Sequence, residues 1–289
     1  MTQTSFMTAS YAGDFERCRL LCESMDRHVA GFHHHWLLVS GGDVEQFRSL
    51  QGARRTVVDE RDLLPDWLHP VGPNVLTRDR VLYLSPRTWP MRGWHVQQLR
   101  RIAFAAQASE DAIIGCDSDM IFVRPFDAGS VWREGRLRHF RDPQEIGTTP
   151  HYHEHRQWCR SAARLVGAPA PDFPAPNYIH NLVAWKSEIV AQMNAAIEQR
   201  SGRHWVAAIG RYRTFSECQI YGAFADGVMG GEGLWSTDRS LCLTYWGGPA
   251  LDETTAVALL AELDDNQVAV GVQSFTETPM PVLRRIAGV

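Results

Sequence analysis

Short apolar runs alternate with helical stripes through the first 122 residues, and this alternation restricts the fold more than any other feature of the chain. Ser5–Ser10 reads as a first strand. From Asp14 onward Phe15, Cys18, Cys22, Met25 and Val29 recur at steps of three and four, which predicts an amphipathic helix. Trp36–Ser40 is a second strand, ended by two glycines, and Asp43 is placed to cap a short helix through Phe47 and Leu50. Thr56–Glu60 reads as a third strand. In Trp94–Ala108, Leu99, Ile102, Ala103 and Ala106 share one helical face, and Ile113–Phe122 follows as a fourth strand. Such alternation predicts an α/β fold with a mixed, mainly parallel sheet and helices on both faces. Ligands of these sheets bind at the carboxyl ends of the strands, which puts Ser10, Tyr11, Asp59, Asp117 and Asp119 near one rim.

The second half is less regular. Arg136–Phe140 and Tyr178–Trp185 read as strands, separated by a proline-rich loop over Gly167–Asn177. Ile189, Val190, Met193 and Ile197 define a helix, and Arg213–Phe224 predicts another, started by Thr214 or Ser216. A strand over Leu241–Trp246 and a helix over Glu253–Leu263 complete the reading. A change of character near Asp127 divides residues 1–127 from 128–289 within a single domain spanning 1–289.

Charge and composition exclude several classes. The net charge of -4 exerts no pull toward nucleic acid or an anionic membrane. No stretch approaches the roughly 20 apolar residues that span a bilayer, so no transmembrane segment is expected. The amino terminus lacks the basic start and apolar run of a secretory signal. Six cysteines are scattered without a C-x-x-C pair, which reads as buried thiols in a reducing cytoplasm. Lys186 is the single lysine among 29 basic residues, the usage of a GC-rich bacterial coding sequence.

Within the fourth strand, IIGCDSDMIF carries Asp117 and Asp119 between apolar residues. If the strand stays extended, both carboxylates face one side. Their mutual repulsion is relieved by a divalent cation, and carboxylate oxygens suit Mn²⁺ or Mg²⁺. Such an ion leaves positions for diphosphate oxygens. The alternative is that the strand stops at Cys116 and Asp117 begins a polar turn; the second apolar run, Met120–Val123, weighs against a surface turn. A D-x-D phosphatase or phosphotransferase, with Asp117 as nucleophile, usually carries the motif on its first strand. More than a hundred residues precede it here, the order of a nucleotide-sugar transferase.

TASYAGDFERC (from Thr8), GWHVQQLRRI (Gly93–Ile102), IIGCDSDMIFVRPF (from Ile113), YIHNLVAW (from Tyr178) and TFSECQIYG (to Gly222) together resemble a glycosyltransferase of the GT-A fold. More narrowly, they resemble a bacterial family of largely uncharacterised glycosyltransferase-like proteins. The resemblance implies a metal-dependent transfer of a sugar from a nucleoside-diphosphate donor, a UDP-sugar being favoured, to a glycan, glycolipid or small-molecule hydroxyl. Residues 1–127 would be the nucleotide-sugar half and 128–289 the acceptor half.

Roles follow residue by residue from that resemblance. Thr8, Ser10 and Tyr11 would meet the base or ribose. Asp59 would accept from a base N–H, or else cap a helix. Gln97 and Gln98 would bind ribose or sugar hydroxyls. Of Arg100 and Arg101, one (Arg101 is preferred) would reach a phosphate and the other lie on a solvated face. Asp119 would be the principal metal ligand, with Asp117 bound directly, through water or to ribose, and Ser118 beside the donor. GT-A enzymes commonly add a carboxyl-terminal histidine to the metal, but no histidine follows His204. Phosphates alone, or an unusual partner such as His180, would then complete the shell. Glu217 would be the catalytic base, or alternatively a capping glutamate. Tyr221, one turn on, and Asn181 would contact sugar or acceptor. The alternating histidines of His151–His155 suit zinc only if extended; an exposed, acceptor-side segment is preferred. The competing classes are the D-x-D phosphatase or phosphotransferase and a non-catalytic sugar-nucleotide-binding protein.

Overall fold

The computed structural model describes residues 2–72 and 81–288. The first half runs β1 (Thr4–Ala9), α1 (Phe15–His28), β2 (His35–Val39), α2 (Val44–Phe47), β3 (Arg55–Asp59), α3 (Gly93–Gln107) and β4 (Ala112–Cys116). The second runs β5 (Met120–Phe122), β6 (Arg136–Phe140), α4 (His153–Val166), β7 (Leu182–Lys186), α5 (Ser187–Ser201), α6 (Trp205–Ile209) and α7 (Glu217–Gly227). It closes with β8 (Leu234–Thr237), β9 (Cys242–Tyr245), α8 (Glu253–Ala261), β10 (Ala269–Val272) and α9 (Met280–Ile286).

The main sheet has the order β7–β4–β1–β2–β3. Its pairs β4–β1, β1–β2 and β2–β3 are parallel, and β7 joins the edge antiparallel to β4. The fold is therefore mixed α/β with a mainly parallel sheet, as the alternation predicts. Both faces are covered, and β2 shows how. Leu37 and Val39 pack with Cys18 and Cys22 of α1 and with Phe47, whereas Leu38 joins the core that contains Leu99 and Ile102 of α3. Adjacent strand residues face opposite sides, so one five-residue strand anchors helices on two layers.

A smaller sheet, β9–β10–β5, carries the carboxyl-terminal segment back to the main body. Ile121, Val270 and Val272 pack with Leu259 of α8, Leu283 and Ile286 of α9, and Leu20 of α1. On β1, Phe6 is fully buried and meets Phe32, Phe122 and Phe126 edge-on at 5.5, 6.2 and 6.4 Å. Among the described residues no helix is long and apolar enough to cross a membrane, and all six cysteines are buried and free.

Several expectations change. The fourth strand does not run through the paired aspartates. It ends at Cys116, residues 117–119 form a turn in which Met120 N donates to Asp117 O at 3.2 Å, and β5 enters the other sheet. The two carboxylates thus occupy the gap between sheets, where neither is forced into a ladder. The segment after Tyr178 becomes a strand only at Leu182, and Ala175–Asn177, expected in a loop, pairs antiparallel with Asp142–Ile146. His153–Val166 is a helix, so the histidines are not extended as zinc would require. β10 and α9 were not anticipated. Arg100 lies on no solvated face: it is buried in an ion pair with Glu60, donates from Nε at 2.8 Å, and shares that carboxylate with Tyr83 Oη at 2.9 Å.

Because Phe6 contacts three rings from separate segments, Phe6→Ala is expected to cost about 3–5 kcal/mol. Urea unfolding followed by tryptophan fluorescence measures that loss.

Candidate functional site

β1 and β4 are neighbours in the parallel sheet, so their carboxyl ends open together. A cavity of about 370 Å³ lies there. β1 contributes Ala9 and, just beyond, Asp14 at the start of α1; the turn after β4 contributes Asp117, Ser118 and Asp119. The first turns of α3 supply Trp94, Gln97, Gln98 and Arg101, α7 supplies Glu217, and the segment after β10 supplies Gln273, Ser274 and Phe275.

Arg101 organises the floor. Its guanidinium donates to Glu217 Oε1 at 2.9 Å and forms an ion pair with Asp117. Gln98 is buried, and its Oε1 accepts from Glu217 N at 3.0 Å, leaving its Nε2 without a partner. Ser216 caps α7 by accepting from Gln219 N at 3.3 Å. Glu217 therefore is not the cap. Burial raises the pKa of the Glu217 carboxyl, against the lowering effect of Arg101.

Asp119 is held from its other side. Its backbone carbonyl accepts from Val272 N at 3.0 Å and its Oδ2 from Ser274 N at 3.1 Å. Oδ1 is buried and has no partner. Burial first, then the charges of Asp117 and Asp14, push this carboxyl up to about 7. Asp14 is raised too, by burial ahead of Asp117, while Arg17 and Ser118 oppose the shift; Ser118 Oγ donates to Asp14 Oδ2 at 3.4 Å.

Seven predicted residues thus meet: Gln97, Gln98, Arg101, Asp117, Ser118, Asp119 and Glu217. Tyr11 stands beside them, half exposed, its phenol raised by burial and then by Asp14 and, less, Asp119. The remaining candidates lie elsewhere. Thr8 is fully buried, with its hydroxyl 3.0 Å from both His35 Nε2 and Cys116 Sγ. Ser10 is fully buried as well, and its carbonyl accepts from Arg100 Nη1 at 3.3 Å. Asp59 lies two strands from β1, about 10 Å away at the usual strand spacing, and caps a turn by accepting from Arg61 N at 2.9 Å. That arginine holds its carboxyl below the usual range. Tyr221 is buried against Trp185, and its hydroxyl accepts from Lys186 N at 3.0 Å, so it serves the core behind β7. Asn181 lines no part of the cavity. It is buried one residue beyond the Leu182–Cys116 pair, with Nδ2 unpartnered and facing Gly271. His180 lines no part of the cavity either. Its Nδ1 lies 3.0 Å from Ser240 Oγ, and burial, helped by Arg138, pushes it down to about 4.

Asp14, Trp94 and the Gln273–Phe275 segment were missed. Asp14 carried a signal, being an acid just past the end of the first strand. Trp94 lies one turn before Gln97 and Gln98 on α3 and shares their signal, whereas the Gln273–Phe275 segment depends on β10, whose four residues, Ala-Val-Gly-Val, are too short to stand out.

The donor set at the cavity is oxygen only, and the orphaned Asp119 Oδ1 fits a hard cation. Among the described residues, no three His, Cys, Asp or Glu side chains are arranged to hold a metal ion unaided.

Over residues 3–285 the sequence matches DUF6492, a family of unknown function. The chain belongs to DUF6492. The match includes every residue of the cavity. No curated protein matches the chain.

Since Asp119 is raised in the folded protein, its ionised form is the unfavourable one. Its destabilising effect is absent below pH 4 and grows as pH rises through about 7. Metal-free Asp119→Asn is expected to melt higher than wild type at pH 8, by about 1–3 kcal/mol, with the gap closing toward pH 5. Thermal melts in a chelator across that range test the sign.

Proposed function

We propose that the protein is a metal-dependent glycosyltransferase of GT-A type. It moves a sugar from a nucleoside-diphosphate donor, a UDP-sugar being favoured, to a hydroxyl of a glycan, glycolipid or small molecule. The observation that carries this reading is the unpartnered, buried Asp119 Oδ1, in a cavity at the carboxyl ends of β1 and β4 that also holds Arg101 and Glu217. When bound, Mn²⁺ or Mg²⁺ supplies positive charge against the leaving diphosphate. Asp119, with Asp117 and Asp14 near it, would hold that ion, and phosphate oxygens would complete its shell.

The remaining groups have work suited to their chemistry. Arg101 sits where a diphosphate would compete with two carboxylates for its guanidinium. Gln97 and the free Nε2 of Gln98 offer amides to ribose or sugar hydroxyls. Trp94 and Phe275 are exposed rings at the cavity and give a base or sugar ring an apolar face. Glu217 accepts the acceptor's proton as the hydroxyl oxygen bonds to the anomeric carbon. The bond from that carbon to the diphosphate oxygen breaks, and the electron pair leaves with the diphosphate. Residues 1–127 bring Asp14, Arg101 and the D-x-D turn, and Glu217 enters from 128–289, consistent with a donor half and an acceptor half. Six buried, free thiols suit a cytoplasmic enzyme.

The D-x-D phosphatase reading fits less well, because the Arg101 ion pair ties up the Asp117 carboxylate that would have to attack phosphorus.

Calorimetric titration with UDP is expected to show binding that requires Mn²⁺ and is lost in Asp119→Ala; binding unchanged in that variant rejects the assignment. Glu217→Gln is expected to keep UDP affinity within a few fold and to lower sugar transfer by about 10²–10⁴-fold. A panel of nucleotide sugars, with simple phosphate esters as the control substrates, provides the assay.

A further inference from the structure

A second cavity of about 460 Å³ shares no residue with the first. It lies where β6 and β8 pair in parallel, with Arg138 directly across from Trp235. Arg138 is 5% exposed, yet among the described residues it makes no salt bridge, and neither do Arg133 and Arg239 beside it. Its Nη2 donates to the Arg239 carbonyl. The Arg133 guanidinium lies over the Trp235 ring, 3.7 Å from its centre, and Arg138 is 5.9 Å from the same ring. Two carboxylates line the cavity, Asp127 and Asp265. Asp127 Oδ1 accepts from Gly129 N at 2.9 Å, Asp265 is exposed, and neither is within ion-pair reach of the three arginines.

A buried charge without a counter-ion is costly, and buried cations are ordinarily paired. Burial, and then Arg133 and Arg239, pull the Arg138 guanidinium down to about 10. Arg100, the other buried arginine among the described residues, has Glu60, and the partly buried Arg101 has Asp117 and Glu217. We infer that the Arg133–Arg138–Arg239 cluster is a binding site for a phosphate-class oxyanion, separate from the candidate active site. Guanidinium forks match such oxyanions in geometry as well as charge. The cavity has the volume of a small-molecule site, far more than one phosphate fills. The oxyanion is therefore one end of a larger ligand, which extends from the arginines along the Arg133–Trp235 stack. The same chemistry is offered by a soluble phosphomonoester and by a phosphorylated lipid head group.

The probe is inorganic phosphate added to the full chain in chelator, against chloride at equal ionic strength. Phosphate is expected to raise the melting temperature of wild type by several degrees. Arg138→Met is expected to melt at or above wild type in chloride and to lose the phosphate response. Arg239→Ala, at an exposed position, is expected to weaken phosphate binding by about tenfold, which keeps the test open if the buried variant does not fold. Asp119→Asn is expected to retain the full response, so failure of the glycosyltransferase reading and failure of this one are separable. Competition against phosphate by glycerol 3-phosphate, or by phosphatidylcholine vesicles containing phosphatidic acid, assigns the source. No response beyond chloride, a response intact in both arginine variants, or one abolished by Asp119→Asn overturns the proposal.

Discussion

The double ion pair of Arg101 is the contact on which the candidate site depends. One guanidinium, projected from α3, engages Asp117 after β4 and Glu217 at the start of α7. Arg101 and Asp117 are 16 positions apart, but Glu217 lies 116 beyond Arg101, and the sheet alone does not bring α7 to β4. Gln98, one turn earlier on α3, reinforces the junction by accepting from Glu217 N at 3.0 Å. Charge neutralisation here is incomplete by design of the arrangement: Arg101 balances one of the two carboxylates it touches, and Asp14 and Asp119 remain. Asp119 bears the cost: burial first, and then the charges of Asp117 and Asp14, raise its carboxyl to about 7. Positive charge brought to its orphaned oxygen would relieve that cost, which connects the packing of α3 against α7 to the chemistry proposed for the cavity.

Much of the first half was legible because its periodicities are clean. β1 to β4 are apolar runs flanked by turn residues, and α1 and α3 carry stripes of large side chains at helical spacing. The sheet rule then placed Asp117 and Asp119 correctly at a strand end, although the extended D-x-D geometry was wrong. A turn lets the carboxylates diverge and still face one cavity, and a strand spacing of two was never needed. Thr8 and Ser10 failed for a related reason. Closeness to a strand end says nothing about which face a side chain takes, and Thr8 turns toward His35 and Cys116 in the interior. Tyr221 shows the limit of helical spacing. It shares a face with Glu217, but one turn deeper that face meets Trp185 and not solvent.

The second half was harder to read because its stripes are written in small residues. The buried residues of α4 are Cys159, Ala162, Ala163, Leu165 and Val166, three of them cysteine or alanine, and the histidines before them read as an exposed segment. β10 contains a glycine at its centre, where Asn181 Nδ2 would come within 2.4 Å of a Cβ on Gly271. That glycine makes the strand inconspicuous and at the same time lets the β7 edge approach β10. Without β10, neither the Ser274 N–H that orients Asp119 nor the exposed Phe275 ring could be placed beside the D-x-D turn.

The buried Arg100 and Arg138 and the partly buried Arg101 are compensated in three different ways, and the differences bear on function more directly than their burial does. Arg100 has a dedicated carboxylate and a tyrosine hydroxyl, a closed arrangement that serves the core. Arg101 has two carboxylates in a cavity, an arrangement that an incoming anion can rearrange without leaving a bare charge behind. Arg138 has a carbonyl oxygen and two like-charged neighbours, so its guanidinium is stabilised least of the three. The protein tolerates that only if the desolvation penalty is small beside the rest of its stability or if an external anion supplies the missing charge. The penalty for a buried unpaired ion is several kcal/mol, a large part of the roughly 5–15 kcal/mol by which a domain is stable. An external counter-ion is the cheaper solution, and the 460 Å³ space in front of Arg138 is where it would sit.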